Sequence, residues 1–65
     1  MYKRYEAIRN ARKMTDAQVA ELSGVAPQTL SAWKLGLYVP KVDKLLKIAC
    51  VLDVQVTDLI KEGEQ

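Results

Sequence analysis

Apolar positions recur at three- and four-residue intervals along almost the whole chain, and nowhere alternate as they would on a half-buried strand. Tyr5, Ile8 and Ala11 or Arg12 place one stripe on a helix over about residues 3–13, with Lys3, Arg4, Arg9, Arg12 and Lys13 as its basic outer set. Thr15 and Gln18 have the spacing of a capping box, each side chain satisfying an orphan amide at a helix start. A second helix of one and a half to two turns therefore begins there, carrying Val19, Ala20 and Leu22, and stops at Ser23-Gly24. Pro27 suits a first helical position, where its missing amide has no partner to lose. The third helix runs over about 27–35, with Leu30 and Trp33 facing inward and Gly36 as its stop. After the loop Leu37-Tyr38-Val39-Pro40-Lys41, the residues Val42, Leu45, Leu46, Ala49 and Leu52 mark the buried stripe of a fourth helix. Asp53 interrupts, and Val56, Leu59 and Ile60 predict a short fifth helix before a polar tail. The expected fold is all-α: five helices in one domain over residues 1–65, with an ordered core of about 3–61.

Composition narrows what such a domain can do. A chain of 65 residues buries only about 60% of the surface its unfolded form exposes, which leaves a small core and little room for a cleft. There is no histidine and one cysteine, so neither a zinc site nor an intramolecular disulfide is available. Cys50 falls in the apolar stretch of the fourth helix and reads as a small buried hydrophobe. No nucleophile–base pair is apparent, which argues against an enzyme, a small-molecule substrate, a metal or another cofactor. No apolar run approaches about 18 residues and no cleavable leader pattern opens the chain, so a soluble, cytoplasmic protein without a membrane partner is expected.

Charge is unevenly spread. Residues 1–14 carry a net +4, 15–33 a net −2, 34–47 a net +3 and the remainder a net −3. Two basic flanks around a nearly uncharged middle suit a surface that grips phosphates at its edges and reads bases between them. Ordinary solvated helix faces give the same tally, and charge alone leaves both readings open.

Residues 16–35 carry the informative spacing. Two helices crossing near a right angle need a small residue at the close approach, a turn residue tolerant of positive φ, and apolar anchors for the second helix. Ala20, Gly24 and the set Val19, Val25, Leu30 and Trp33 stand at those places. This is the pattern of a helix-turn-helix. The stretch MTDAQVAELSGVAPQTLSAWKLGLYVP, followed by LLKIACVLDVQVTDLI, resembles the Cro and C1-type repressors, also called the XRE family, over about residues 4–60. The resemblance implies a five-helix, lambda-repressor-like domain that binds double-stranded DNA at short operators as a dimer. It implies a transcription regulator of the kind encoded by a phage, prophage or plasmid.

Carried over by position, the family's base contacts fall on Pro27, Gln28 and Ala32. Gln28 suits adenine N6 and N7, while Pro27 and Ala32 offer only apolar surface to a thymine methyl. Thr29 and Ser31 are polar neighbours that either read the groove or remain exposed hydroxyls. Phosphate contacts fall on Thr15 and the backbone at Asp16, at a helix N-terminus, and on Lys34, Tyr38, Lys41 and Lys44, with Arg9 a further candidate. Asp16 departs from the pattern, because a carboxylate repels phosphate and its side chain is expected to turn away. Lys34 departs as well. Many family members hold a glutamate there that pairs with the arginine corresponding to Arg9, so here both cations are expected to be free for phosphates. The apolar stretch 35–39 is a third departure, and burial of part of it is expected.

The same fold can serve as a protein-interaction module, antirepressor- or antitoxin-like, for which that apolar stretch and the acidic tail speak. For a dimer, Val54, Val56 and Leu59 are the candidate surface, and a weak homodimer completed on DNA is expected because one short helix reads few base pairs. Trp33 invites a base-stacking role, but its spacing from Leu30 assigns it to the core.

Overall fold

A computed structural model describes residues 2–60, and among them places five helices and no strand. These are α1 (Tyr2–Ala11), α2 (Asp16–Ser23), α3 (Pro27–Lys34), α4 (Val42–Leu52) and α5 (Val56–Ile60). The expected order and number of helices are met; residue 61 and the acidic tail lie outside the described residues. The longest helix has 11 residues, short of the roughly 12–15 at which an isolated helix becomes even marginal in water. Burial between helices must therefore hold each one.

The core draws on every element: Tyr5 of α1, Val19 and Ala20 of α2, Val25 of the turn, Leu30 and Trp33 of α3, Leu45, Ile48, Ala49 and Leu52 of α4, and Leu59 of α5. α4 packs on both α2 and α5, and α5 also lies against α1. Two partners fix which face of α4 turns inward, and it is not wholly the expected one. Ile48 is buried, whereas Val42 and Leu46 are 65% and 51% exposed, and Cys50 is exposed too. Apolar residues occupy more than one side of this helix, so spacing alone left the choice of face to its neighbours. Leu22 of α2 and Ala11 of α1 likewise stand exposed.

Aromatic rings tie α1 to α3. Trp33 stacks on Tyr5 with centroids 5.0 Å apart and meets Tyr2 edge-on at 5.5 Å. Tyr2 and Tyr5 are themselves 5.3 Å apart. Such pairs contribute roughly 0.5–1.5 kcal/mol each beyond the area they bury. Trp33 is thus a core residue, as its spacing indicates.

Helix ends follow the sequence where it supplied the right residue. Gln18 N–H donates to Thr15 Oγ1 at 3.1 Å, and Thr15 N–H donates to Gln18 Oε1 at 2.9 Å, completing the capping box. Gly24 takes the left-handed position after α2 with φ +79°. α1, α3 and α4 all close with a bond from an amide to the carbonyl five residues back: Met14 to Arg9, Leu37 to Ala32 and Val54 to Ala49. The left-handed residue is Gly36 in α3 but Lys13 in α1 and Asp53 in α4, both at φ +58°. A side chain there costs about 1 kcal/mol relative to glycine. Among the described residues, α1 and the residue after it also supply carbonyl caps: Arg12 Nε–H donates to Leu52 O at 2.8 Å and Arg4 Nε–H to Asp58 O at 2.6 Å.

Two substitutions of opposite sign test this account of the turns. Asp53→Gly should raise stability by about 1 kcal/mol, since it relieves the left-handed strain and removes an acid from a helix C-terminus. Gly24→Ala should lower it by a similar amount and no more, because an added Cβ there meets no atom within 4 Å. Urea midpoints followed by the fluorescence of Trp33 measure both.

Candidate nucleic-acid interface

The α2–turn–α3 unit is set by small contacts. Ala20 is 5% and Val25 1% exposed, so α2 and α3 approach closely over the turn. Gly24 N–H donates to Ala20 O at 2.9 Å, and Val25 N–H donates to Ser23 Oγ at 3.2 Å, which satisfies the turn's own amides. Leu30 and Trp33 take the inner face of α3. Its outer face is then Pro27, Gln28, Ser31 and Lys34, all exposed, while Thr29 and Ala32 are half-buried at the edges. Of the two hydroxyls the sequence left open, Ser31 faces solvent fully and Thr29 only in part.

At the start of α2, the Thr15 hydroxyl accepts from Gln18 and keeps its own hydrogen free to donate outward. The Asp16 carboxylate turns towards α1. Its Oδ1 accepts from Tyr5 OH at 2.6 Å and from Arg9 Nη1 at 2.5 Å, and its Oδ2 accepts from Tyr2 OH at 3.3 Å. Arg9 also donates to Tyr2 OH and to Asn10 Oδ1, and its guanidinium lies 5.6 Å from the Tyr5 ring centroid. This corrects the expectation for Arg9. With Lys34 where the family often has glutamate, Arg9 takes Asp16 as its partner instead, is only 13% exposed, and does not stand free for phosphate.

Burial alone would raise the pKa of Asp16, but hydrogen bonds from Tyr5 and Arg9 outweigh it and hold the carboxyl below its usual range. Burial, joined by the hydrogen bond to Asp16, pushes the Tyr5 phenol up. Both groups therefore keep the charges they show, acid ionised and phenol neutral, at ordinary pH.

The remaining cationic candidates lie at the end of α3 and beyond it. Lys34 and Lys41 are exposed, Lys44 is half-buried, and Tyr38 is 42% exposed. Lys41 sits at the N-cap of α4 without a side-chain cap, so the first amides of α4 have no capping oxygen. The loop between them does not bury as expected: Leu35, Leu37 and Val39 are 70%, 77% and 55% exposed. Gly36 turns the chain immediately after α3, and only Pro40 of this connection reaches the interior. Leu59, a candidate for a dimer surface, is fully buried inside the monomer, and Val54 and Val56 pack against the same core. An open depression of about 660 Å³ beside the C-terminal end of α3 is lined by Tyr2, Lys3, Glu6, Trp33, Lys34, Gly36 and Val39, with no nucleophile beside a base. No helix among the described residues is long and apolar enough to cross a membrane.

A family model described as helix-turn-helix matches residues 6–59. The chain belongs to the Cro/C1-type (XRE) helix-turn-helix family. Among solved structures it is similar to the N-terminal DNA-binding domain of SinR from Bacillus subtilis, at 32% identity and a TM-score of 0.84, covering 97% of this chain and 94% of that one. No curated protein sequence matches it.

Within this family member, sequence reasoning missed the Tyr2–Tyr5–Arg9 face of α1. Positions i, i+3 and i+7 do mark it as one helix face. What the spacing lacked was the partner, since Asp16 lies across a turn on another helix.

The clamp that Tyr2, Tyr5 and Arg9 form on Asp16 predicts the acid limb of stability. A carboxyl whose folded pKa is depressed contributes above its unfolded pKa, about 3.9, and loses that contribution as pH falls through the folded value. Stability should therefore decline below about pH 4–5. Asp16→Asn should be less stable by about 1–3 kcal/mol at pH 7, from lost charge-assisted hydrogen bonds, and should flatten that acid limb. Urea titrations at pH 7, 5 and 3 give both readings.

Proposed function

We propose that this chain is a sequence-specific regulator of transcription that binds double-stranded operator DNA as a dimer, with α3 in the major groove. The observation that carries this reading is the outer face of α3: Gln28 and Ser31 exposed between Pro27 and Lys34, on a helix whose other side is locked in the core. Membership in the family and likeness to a DNA-binding domain support it. Gln28 is the main base reader through adenine N6 and N7, assisted by Ser31 and by Thr29 from the edge, with apolar contact from Pro27 and Ala32. Thr15, Lys34, Tyr38, Lys41 and Lys44 supply the phosphate contacts, which position the domain without reading sequence. A repressor or Cro-like role on a phage or prophage operator is the specific form we favour.

With Leu59 internal, the dimer is weak in the absence of DNA, and operator half-sites bring two copies together about 34 Å apart. A second reading, a protein-interaction module, is favoured by one feature, the apolar surface at Leu35, Leu37 and Val39.

Titration of labelled duplex, from the promoter beside the protein's own gene and of random sequence, at several salt concentrations separates the two. On the DNA reading, affinity falls steeply with salt, with a slope of about 0.9 per neutralised phosphate. Gln28→Ala costs about 1–3 kcal/mol on the preferred site and little on random duplex. Lys41→Ala weakens both alike. Failure of both duplexes to bind at low salt hands the assignment to the protein-partner reading.

A further inference from the structure

The clamp on Asp16 has a place in recognition as well as in folding. Asp16 is the first residue of α2, directly after Thr15, so its carboxylate is attached to the helix end whose amides and hydroxyl face a phosphate in the proposed complex. A free carboxylate there would repel the DNA backbone. It is not free: three donors from a single face of α1, the phenols of Tyr2 and Tyr5 and the guanidinium of Arg9, converge on it, and Arg9 cancels its charge. Arg9 is more buried than its partner, at 13% against 33% exposed, and its second amino group is occupied by Asn10. The arginine is therefore placed to restrain the acid, with little of its own surface left for a ligand.

We propose that Arg9, with Tyr5 and Tyr2, is a positioning residue for DNA binding that never touches DNA: it holds and neutralises the Asp16 carboxylate against α1 so that the start of α2 accepts a phosphate. This rests on the DNA-binding reading above. It differs from an Arg9 phosphate contact in what a second substitution does.

The test measures affinity for the same labelled duplex with wild type, Arg9→Met, Asp16→Asn and the double variant, at a temperature where urea curves followed by Trp33 show each variant folded. Arg9→Met should bind about five- to tenfold more weakly, the size expected for one uncompensated charge near a phosphate at partial exposure. Asp16→Asn should bind as tightly as wild type or more so. The double variant should return to within about twofold of wild type, with a salt slope changed by less than one phosphate contact. As a control, Arg9→Met combined with Asp53→Asn restores the net charge at a residue that closes α4, and should stay weak; asparagine tolerates the left-handed position Asp53 holds. If Arg9→Met does not fold, Tyr5→Phe keeps the stacked ring and removes one donor. It should bind about two- to threefold more weakly and be rescued by Asp16→Asn.

A double variant as weak as Arg9→Met means that Arg9 meets the phosphate itself, and overturns the proposal. So does an Arg9→Met that binds normally, or equal rescue by Asp53→Asn. If wild type binds no duplex, the DNA-binding reading falls first, an outcome distinct from all of these.

Discussion

Trp33 stacked on Tyr5 is the contact on which the rest of this domain depends. Five helices of 5 to 11 residues cannot stand alone, and α1 has only one fully buried side chain to fasten it, Tyr5. That ring meets Trp33 from α3, so the same contact seats α1 and fixes the inner face of the proposed reading helix. Leu30, three residues earlier, completes that inner face. Once both are inside, the helix period leaves Pro27, Gln28, Ser31 and Lys34 outside. The outer face of α3 is thus a consequence of its packing.

A second regularity concerns the cations. The chain's only arginines are Arg4 and Arg9 on α1 and Arg12 directly after it, and each donates to an acceptor inside the protein: Asp58 O, Asp16 Oδ1 and Leu52 O. Two of these acceptors are carbonyls near helix C-termini, where positive charge is favoured and the last carbonyls lack partners. The third is a carboxylate, which the arginine fork suits. Lysines, as flexible point charges, stand exposed at Lys34, which ends α3, and at Lys41, and half-buried at Lys44. The arginines of this segment therefore serve its attachment to the domain, and the proposed phosphate contacts rest mainly on lysine.

How far each feature could be read from sequence follows from whether its cause is local. The capping box, the Gly24 turn, the Pro27 start and the Gly36 stop are set within a few residues, and all four are found where the sequence places them. The buried side of α4 depends on α2 and α5. Apolar residues at both Leu46 and Ile48 made the stripe ambiguous, and tertiary packing chose Ile48. Exposure of Leu35, Leu37 and Val39 had no local sign, and composition favoured burying them. The Arg9–Asp16 pair was hidden for a different reason: the family's habit directed attention to Lys34, while the available acid lay seven residues from Arg9 across a turn. On the candidate site, the residues of α3 that the sequence singled out include the exposed Pro27, Gln28 and Ser31, and the structure pairs the α1 cation Arg9 with Asp16.

The composition of that outward face constrains how specificity could arise. One glutamine offers a single bidentate base contact, worth about 1–3 kcal/mol of discrimination. Two copies on a symmetric site would supply about 2–6 kcal/mol, at or below the lower part of the roughly 4–10 kcal/mol that separates specific from non-specific binding. Ser31 adds a single hydroxyl, and Pro27 adds only apolar contact. Hydrogen bonds from α3 would therefore reach at most the lower part of that range, and more lysine would not raise it, because phosphate contacts strengthen every sequence alike. What remains is the energy of fitting DNA to a rigid pair of domains, which depends on the stiffness of the base steps between half-sites. If α3 reads DNA as proposed, a helix this sparse in donors places the burden of selectivity on the spacing and flexibility of its site, and hence on how firmly α3 is held by Trp33 and Tyr5 beneath it.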